Sequence, residues 1–192
     1  MANYVVAVEG LESIRDIQNL DENILLRARQ AINRAAARAR TTSDRDMRKQ
    51  IAFPARYLSS RLQVSKKASG RSLQAVITGR DRPTSLARFA SSKDPAAARR
   101  RGGVSVTVSP GQTRFMAGAF LMRLKGGNLG LAIRLKEGDS LRNKRQVAKA
   151  GKGLYILYGP SVDQVFRAVA DERAAPDAAD FLEREFLRLM EL

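Results

Sequence analysis

Two pairs of neighbouring carboxylates are the residues whose types and spacing could support metal-dependent chemistry. Asp44 and Asp46 could hold Mg²⁺ together with a phosphate ligand, because hard cations prefer oxygen ligands. A structural interpretation fits them better, since both fall in the expected first turn of a helix and residues two apart on a helix do not face each other. Asp171 and Glu172 fall at the polar end of another expected helix. Both pairs therefore favour a structural role over a metal site.

The composition removes most other kinds of catalysis. The 192 residues contain no histidine and no cysteine, which excludes a Cys nucleophile, a His base, a Cys/His zinc site and a disulfide. The glycine-rich residues 126–130 lack the Lys-Ser/Thr pair of a phosphate-binding loop, so they predict a hairpin turn. No apolar stretch approaches the roughly 20 residues that a membrane-spanning helix needs. We therefore predict a protein that is not an enzyme, with no cofactor, no small-molecule substrate and no membrane partner.

Positive charge is concentrated in the middle of the chain. The sequence has 35 basic and 19 acidic side chains, a net charge of +16. Residues 34–152 hold 28 of the basic and 6 of the acidic ones, whereas residues 1–33 and 153–192 carry net charges of −2 and −4. This distribution predicts an acidic or polyanionic partner. It also allows the acidic ends to fold back on the middle, or to contact the middle of a neighbouring copy.

Two basic, glycine-punctuated segments, residues 79–103 and 136–152, supply the candidate contact residues. The first has no convincing period of its own, and inter-strand loops of such length are usually functional or disordered. Its two interpretations are a solvated loop and a basic arm that contacts a DNA backbone or an acidic protein without reading sequence, since few aromatic side chains accompany the charges. The candidate contact residues are Arg80, Arg82, Arg88, Arg99, Arg100, Arg101, Arg142, Lys144, Arg145, Lys149 and Lys152.

Hydrophobic periodicity predicts the helices that must position these residues. A long helix is expected over about residues 21–40, with apolar positions at helical spacing on one face. A second stretch over residues 44–53, capped by Ser43, follows as a separate helix or as a kinked continuation. Two helices finish the chain, the first opening with Ser161 and Gln164 in a capping box and the second at Pro176.

The middle of the chain predicts antiparallel strands. The expected strands cover residues 4–8, 62–65, 73–78, 104–108, 115–124, 129–135 and 154–158. The fold class is therefore α+β, with the long N-terminal helix and two C-terminal helices packed on a mainly antiparallel sheet. We expect a single domain over residues 1–192, with a basic inter-strand loop at 79–103.

Four segments resemble the minor tail protein Z family of lambda-like, long-tailed bacteriophages and prophages. They cover residues 53–58, 77–89, 118–121 and, most specifically, 154–166, which read LYILYGPSVDQVF. The resemblance extends over nearly the whole chain. It implies a structural virion protein that completes the head-proximal end of the tail tube and makes it competent for head–tail joining.

The resemblance also implies partners and a location. The expected partners are tail terminator, tail tube or neck proteins and further copies of the chain in a six-fold ring, with non-specific contact to DNA in the channel left open. The location is the head-proximal end of the virion tail, and the host cytoplasm during assembly. Composition alone leaves an alternative, a sequence-independent nucleic-acid-binding protein with a basic face. Neighbouring tail genes would favour the first function and ribosomal neighbours the second.

Overall fold

The structure is a computed structural model, and it describes residues 4–6, 21–70, 72–136 and 147–191, the first three by their backbone alone. The α-helices are α1 (Glu22–Gln50), α2 (Ala55–Ser59), α3 (Pro95–Arg100), α4 (Val162–Val169) and α5 (Ala175–Met190). The strands are β1 (Tyr4–Val6), β2 (Leu62–Lys66), β3 (Ala75–Gly79), β4 (Thr84–Ser85), β5 (Gly103–Thr107), β6 (Thr113–Ala117), β7 (Ala119–Arg123), β8 (Leu129–Arg134), β9 (Val147–Gly151) and β10 (Leu154–Gly159). A 3₁₀-helix, Leu86–Phe89, and a π-helix, Ala170–Ala174, complete the regular structure of the described residues.

Helix α1 is one continuous helix of 29 residues. Alanine and arginine are strong helix formers, and neither glycine nor proline occurs between Glu22 and Phe53. The predicted apolar face is confirmed, because it lies among the buried residues Ala28, Ala31, Ile32, Ala35, Ala36 and Ala39. The prediction that Ser43 caps a second helix is wrong: Ser43, Asp44 and Asp46 lie inside α1 and are buried. A Ser followed by an acidic residue three positions later occurs in helix interiors as well as at helix starts.

Ser43→Ala is expected to raise the free energy of unfolding by about 1 kcal/mol. The side chain is fully buried and its Oγ has no hydrogen-bond partner, so the hydroxyl carries a desolvation cost that alanine removes. Alanine also favours the helical backbone more than serine does. Urea denaturation of the two chains measures the difference, and a less stable Ser43→Ala variant would contradict the burial of an unpaired hydroxyl.

The strands pair in antiparallel fashion and form three sheets, which confirms the α+β class. One sheet has the order β1-β3-β2, the second has the order β4-β10-β8-β7 with β9 also on β10, and the third is β5-β6. The predicted hairpins between residues 62 and 78 and around residues 126–128 are confirmed as β2-β3 and β7-β8. The single strand predicted over residues 115–124 is wrong. It is divided at Gly118, whose φ of +70° favours glycine and turns the chain from β6 into β7.

Residues 79–103 differ from the predicted loop, because they contain β4, the 3₁₀-helix and α3. Phe89 is buried, and the small side chains of Ala87 and Ala98 are buried with it. The ammonium of Lys93 donates to the carbonyl oxygens of Ala87, Arg88 and Ala90 at the end of the 3₁₀-helix. Alanines and one long cation therefore fix a segment that offers few large apolar side chains. The segment remains basic and still connects two strands.

The chain divides into two units, each with its own core. Unit 1 contains residues 1–47, 59–81 and 163–192, and unit 2 contains residues 48–58 and 82–162. In unit 1, Ile32 and Ala36 of α1 form a core with Ala75 of β3, and Leu182 of α5 packs against it. In unit 2, residues of the 3₁₀-helix, α3 and β5 share a core with Leu121, Leu131 and Leu157 of the five-stranded sheet. A single domain over residues 1–192 stays a prediction.

Among the described residues, no helix combines the length and the apolar character that crossing a bilayer requires.

Candidate basic binding surface

One end of the five-stranded sheet of unit 2 is formed by the end of β8 and by the β9–β10 hairpin. Arg134, the last residue of β8, lies opposite Leu154, the first residue of β10. Gly151, the last residue of β9, lies opposite the same Leu154, so the turn that contains Lys152 adjoins the end of β8. The N–H of Leu135 donates to the carbonyl oxygen of Gly153 at 2.8 Å, and this hydrogen bond holds the β9–β10 turn against the end of β8.

The C-terminal end of α3 lies at the same end of the sheet. The N–H of Gly118 donates to the carbonyl oxygen of Gly102 at 2.9 Å. Gly118 directly precedes β7, whose first residue, Ala119, pairs with Ile133 next to the end of β8. Arg99 and Arg100 at the end of α3, and Arg101 directly after it, therefore lie at the same end of the sheet as the β9–β10 hairpin, with β8 and β10 between them. Lys149 pairs with Tyr155 and Arg134 pairs with the neighbouring Leu154, so these two side chains extend from opposite faces of the sheet. We call this set the basic end: Arg99, Arg100, Arg101, Arg134, Lys149 and Lys152, all of them exposed.

Three other predicted contact residues do not belong to the basic end. Arg82 and Arg88 flank β4, which pairs with the last two residues of β10 and so lies at the opposite end of the sheet. The guanidinium carbon of Arg88 is 4.2 Å from the centroid of the Tyr57 ring, so a cation–π contact occupies this side chain. Arg80 belongs to unit 1, where its backbone N–H donates to the carbonyl of Arg61.

Three of the predicted contact residues, Arg142, Lys144 and Arg145, lie outside the described residues. Arg134 was not among the predicted residues, although it ends a strand that the sequence does predict. The register of the sheet could have identified Arg134, because antiparallel pairing puts the last residue of β8 beside the first residue of β10. Strand β9 was also missed, because four of its five residues are exposed and its pattern of small residues and one lysine does not alternate apolar with polar.

Negative charge is scarce around the basic end. Among the described residues of unit 2, Asp94 is the single acidic side chain. Its carboxylate accepts the backbone N–H groups of Ala96 and Ala97 at the start of α3, at 2.9 and 3.2 Å. One guanidinium nitrogen of Arg100 lies 3.9 Å from it, at the limit of an ion pair. The backbone of α3 thus already uses the carboxylate that could have neutralised the basic end.

The acidic C-terminal helix of unit 1 pairs with basic residues of α1. The Glu185 carboxylate accepts hydrogen bonds from Arg188 on its own helix and from Arg34 on α1. Arg38 reaches Asp177 at 3.2 Å, and its guanidinium carbon lies 4.8 Å from the centroid of the Phe181 ring. Two acids of the C-terminal segment, Asp177 and Glu185, have therefore folded back on the basic middle of the chain, the first of the two arrangements that the charge distribution allows.

The carboxylate pair on α1 is likewise held by cations. Asp44 lies 3.7 Å from Arg40, and Asp46 lies 3.8 Å from Arg45. Both aspartates are 7% exposed and sit in the helix interior, so the expectation that they occupy a first turn is wrong. Within the part of the chain that the structure describes, no three acidic side chains come together in a way that could hold a metal ion. The ion pairs favour a structural role for both aspartates.

Glu185→Gln is expected to destabilise the protein at neutral pH and to lose this effect in acid. The hydrogen bonds from Arg188 and then Arg34 lower the pKa of Glu185 from 4.5 to about 2. Because the folded pKa lies below the unfolded one, the carboxylate stabilises the fold above about pH 4.5, and this contribution disappears as the pH falls towards 2. The difference in melting temperature between the parent and the variant should therefore close across this interval.

Glu183→Gln is the matched control for that experiment. It removes an exposed carboxylate from the same helix, and Glu183 makes no ion pair among the described residues. Its melting temperature should follow that of the parent at every pH. A pH-independent difference for Glu185→Gln, or an equal pH dependence in the two variants, would contradict the ion-pair assignment.

Comparison with known protein families supports the resemblance. The family model described as prophage minor tail protein Z (GPZ) matches residues 8–186, which include all four of the resembling segments. No curated protein and no solved structure matches the chain.

Proposed function

Because the chain belongs to the prophage minor tail protein Z family, it is a bacteriophage minor tail protein, and we propose that it completes the head-proximal end of the tail tube. In this role it makes the tail competent to join the head. The family match over residues 8–186 is the observation that carries the proposal. The protein acts in the virion tail and is assembled into it in the host cytoplasm.

The proposed partners are tail terminator, tail tube or neck proteins and further copies of the chain in a six-fold ring. Three exposed apolar side chains support contact with other proteins: Phe115 on β6, and Leu187 and Met190 on α5, each more than 40% exposed. Native mass spectrometry of the purified protein measures the copy number.

A structural role without catalysis is part of the proposal. The family consists of minor tail proteins, and Asp44 and Asp46, one of the two carboxylate pairs considered as a metal site, each lie within 4 Å of an arginine. These contacts, at 3.7 and 3.8 Å, support a structural role for both aspartates. Asp44→Asn and Asp46→Asn should therefore leave head–tail joining intact as long as the chain still folds.

Joining of heads and tails in extracts tests the proposed role directly. Tails from a prophage that lacks this gene should have normal length and should not join added heads. Adding the purified protein should restore infectious particles, and gold-labelled antibody should mark the head-proximal end of the tail. Tails that join without the protein, or label at the distal end, would refute this function while leaving the family assignment intact.

A sequence-independent nucleic-acid-binding protein remains the second candidate, and the basic end is the observation that favours it. The two functions predict different companions in the cell. A tail protein should sediment with tails through a sucrose gradient at high salt, whereas a nucleoid or ribosomal protein should sediment with nucleic acid and leave it as salt rises. Neighbouring genes for a tail terminator or tail tube would also favour the first function.

A further inference from the structure

The net charge of the protein is carried entirely by one of its two units. Unit 1 has 16 basic and 16 acidic side chains, so its net charge is zero. Unit 2 has 19 basic and 3 acidic side chains, which gives it the whole net charge of +16. The partition appears only when the fold assigns each segment to its unit, since unit 1 combines acidic termini with basic residues from the middle of the sequence.

Unit 1 neutralises its charges internally. Its ion pairs include Arg34 with Glu185, Arg38 with Asp177, and Arg167 with Asp163. At the basic end, by contrast, Arg100 with Asp94 is the one ion pair among the described residues, and that carboxylate is already bound by two backbone N–H groups. The six cations of the basic end therefore have little counter-charge among the described residues, and such an array is stabilised by an external polyanion.

From this partition and from the geometry of the sheet, we infer that the basic end of unit 2 binds the phosphate backbone of duplex DNA. Six exposed cations lie at this end of the sheet, on α3 and the residue after it, on β8 and on the β9–β10 hairpin, and the backbones of these elements are fixed to one another by hydrogen bonds. Four of the six are on regular structure, so the array is presented on a rigid surface. Arginine suits phosphate because its planar guanidinium forms bidentate contacts.

Local structural roles explain single members of the basic end but not their common position at one end of the sheet. Arg99 and Arg100 lie in the last turn of α3, where cations complement the helix dipole. Lys149 lies on β9, where a charged side chain discourages pairing with another edge strand. Neither role requires these residues to meet Arg134 and Lys152 at one end of the sheet. Their common position, with Asp94 as the one acidic side chain among the described residues of unit 2, indicates a ligand with closely spaced negative charges.

Duplex DNA fits this surface better than single strands or a base-reading contact. Duplex DNA presents about one negative charge per 1.7 Å of its axis, whereas binding of single strands relies on exposed aromatic side chains. Phe115 is the one large aromatic of the described part of unit 2 that is strongly exposed, and its ring lies over Gly103 on the β5-β6 hairpin. Helix α3 has six residues, too short to read bases along a groove, so the contact is independent of sequence.

The inference rests on the proposed function in one respect: in the tail, the protein would meet the DNA that passes through it. Fluorescence anisotropy with the purified full-length protein and a labelled 30-base-pair duplex of arbitrary sequence tests it. The parent should bind the duplex with an affinity that falls steeply with salt, and Arg99/Arg100/Arg101→Gln should weaken binding by at least about tenfold at 100 mM salt. The slope of log affinity against log salt should become shallower by about 3, one for each phosphate that the variant no longer neutralises.

Two matched triples remove the same charge elsewhere. Arg82/Arg123/Lys125→Gln takes three exposed cations from the opposite end of the same sheet, and Arg61/Lys66/Lys67→Gln takes three from unit 1. Both should keep the affinity and most of the salt dependence of the parent. Equal losses in all three variants would mean a response to net charge alone and would overturn the assignment to the basic end.

Two further outcomes would also overturn the inference. The first is no binding of the duplex by the parent at 50 mM salt. The second is an Arg99/Arg100/Arg101→Gln variant that binds duplex like the parent yet no longer supports head–tail joining, since the surface would then contact an acidic protein. Duplex binding needs no tail, so its failure leaves the proposed tail function standing. Failure of the joining assay, equally, leaves the duplex measurement standing.

Discussion

Leu131→Ala is expected to lower the free energy of unfolding by about 2 to 5 kcal/mol. Leu131 is fully buried at the centre of the five-stranded sheet, with Leu121 on one side and Leu157 on the other. Removing its side chain leaves a cavity in the core of unit 2 that these leucines cannot fill, because both are held by their own strands. Urea denaturation monitored by circular dichroism measures the loss.

Leu187→Ala is the matched control, since it makes the same chemical change on an exposed face of α5. Leu187 is 56% exposed, so we expect its replacement to change the free energy of unfolding by less than about 0.5 kcal/mol. A Leu131→Ala loss no larger than that of Leu187→Ala would contradict the assignment of Leu131 to the core. If Leu187→Ala leaves stability intact but impairs ring formation or joining, that result supports the proposed contact between proteins.

The helices were the most predictable part of the fold, because periodicity over many turns is a strong signal. The face of α1 that contains Ala28, Ile32 and Ala36 is buried as the spacing predicts. The predicted helix start at Ser43 is wrong, because a polar sequence such as Thr41–Asp46 is compatible both with a helix start and with a helix interior. The structure decides in favour of an interior, where cations neutralise the two aspartates and the hydroxyl of Ser43 stays unpaired.

Residues 79–103 show why large apolar side chains are an incomplete guide to order. The segment offers little apolar area, so the sequence predicts a loop. The structure instead buries Ala87 and Ala98, which fit closely against strands because they are small, and it caps the 3₁₀-helix with the Lys93 ammonium. Burial of that ammonium, helped by the neighbouring Arg88, lowers the pKa of Lys93.

The candidate site was predictable as a set of residue types and unpredictable as an arrangement. Arg99–Arg101, Lys149 and Lys152 were all predicted as contacts, but from two different loops. Their meeting at one end of a sheet depends on the Gly102–Gly118 hydrogen bond and on the register of β8, β9 and β10, which no local pattern encodes. Nor does any local pattern indicate that Arg88 stacks on Tyr57, because the two are 31 positions apart.

Gly153→Ala is expected to cost about 3 kcal/mol of stability or more, from two sources that add. Gly153 has a φ of +64°, a conformation that costs a residue with a Cβ about 1 to 2 kcal/mol. The added Cβ would also lie 2.7 Å from the carbonyl oxygen of Leu135, closer than such atoms approach. That oxygen belongs to the backbone of the segment that follows β8, so relief requires the β9–β10 turn to move away from the end of β8.

Gly111→Ala separates the two sources of cost. Gly111 has a φ of +76°, and a Cβ added there would meet no atom within 4 Å, so its replacement should cost only about 1 to 2 kcal/mol. The difference in free energy of unfolding between the two variants then measures the contact with Leu135. Because the β9–β10 turn carries Lys152 next to Arg134, Gly153→Ala should also weaken duplex binding while Gly111→Ala leaves it unchanged. Equal stability of the two variants would contradict the close approach of Gly153 to the carbonyl oxygen of Leu135.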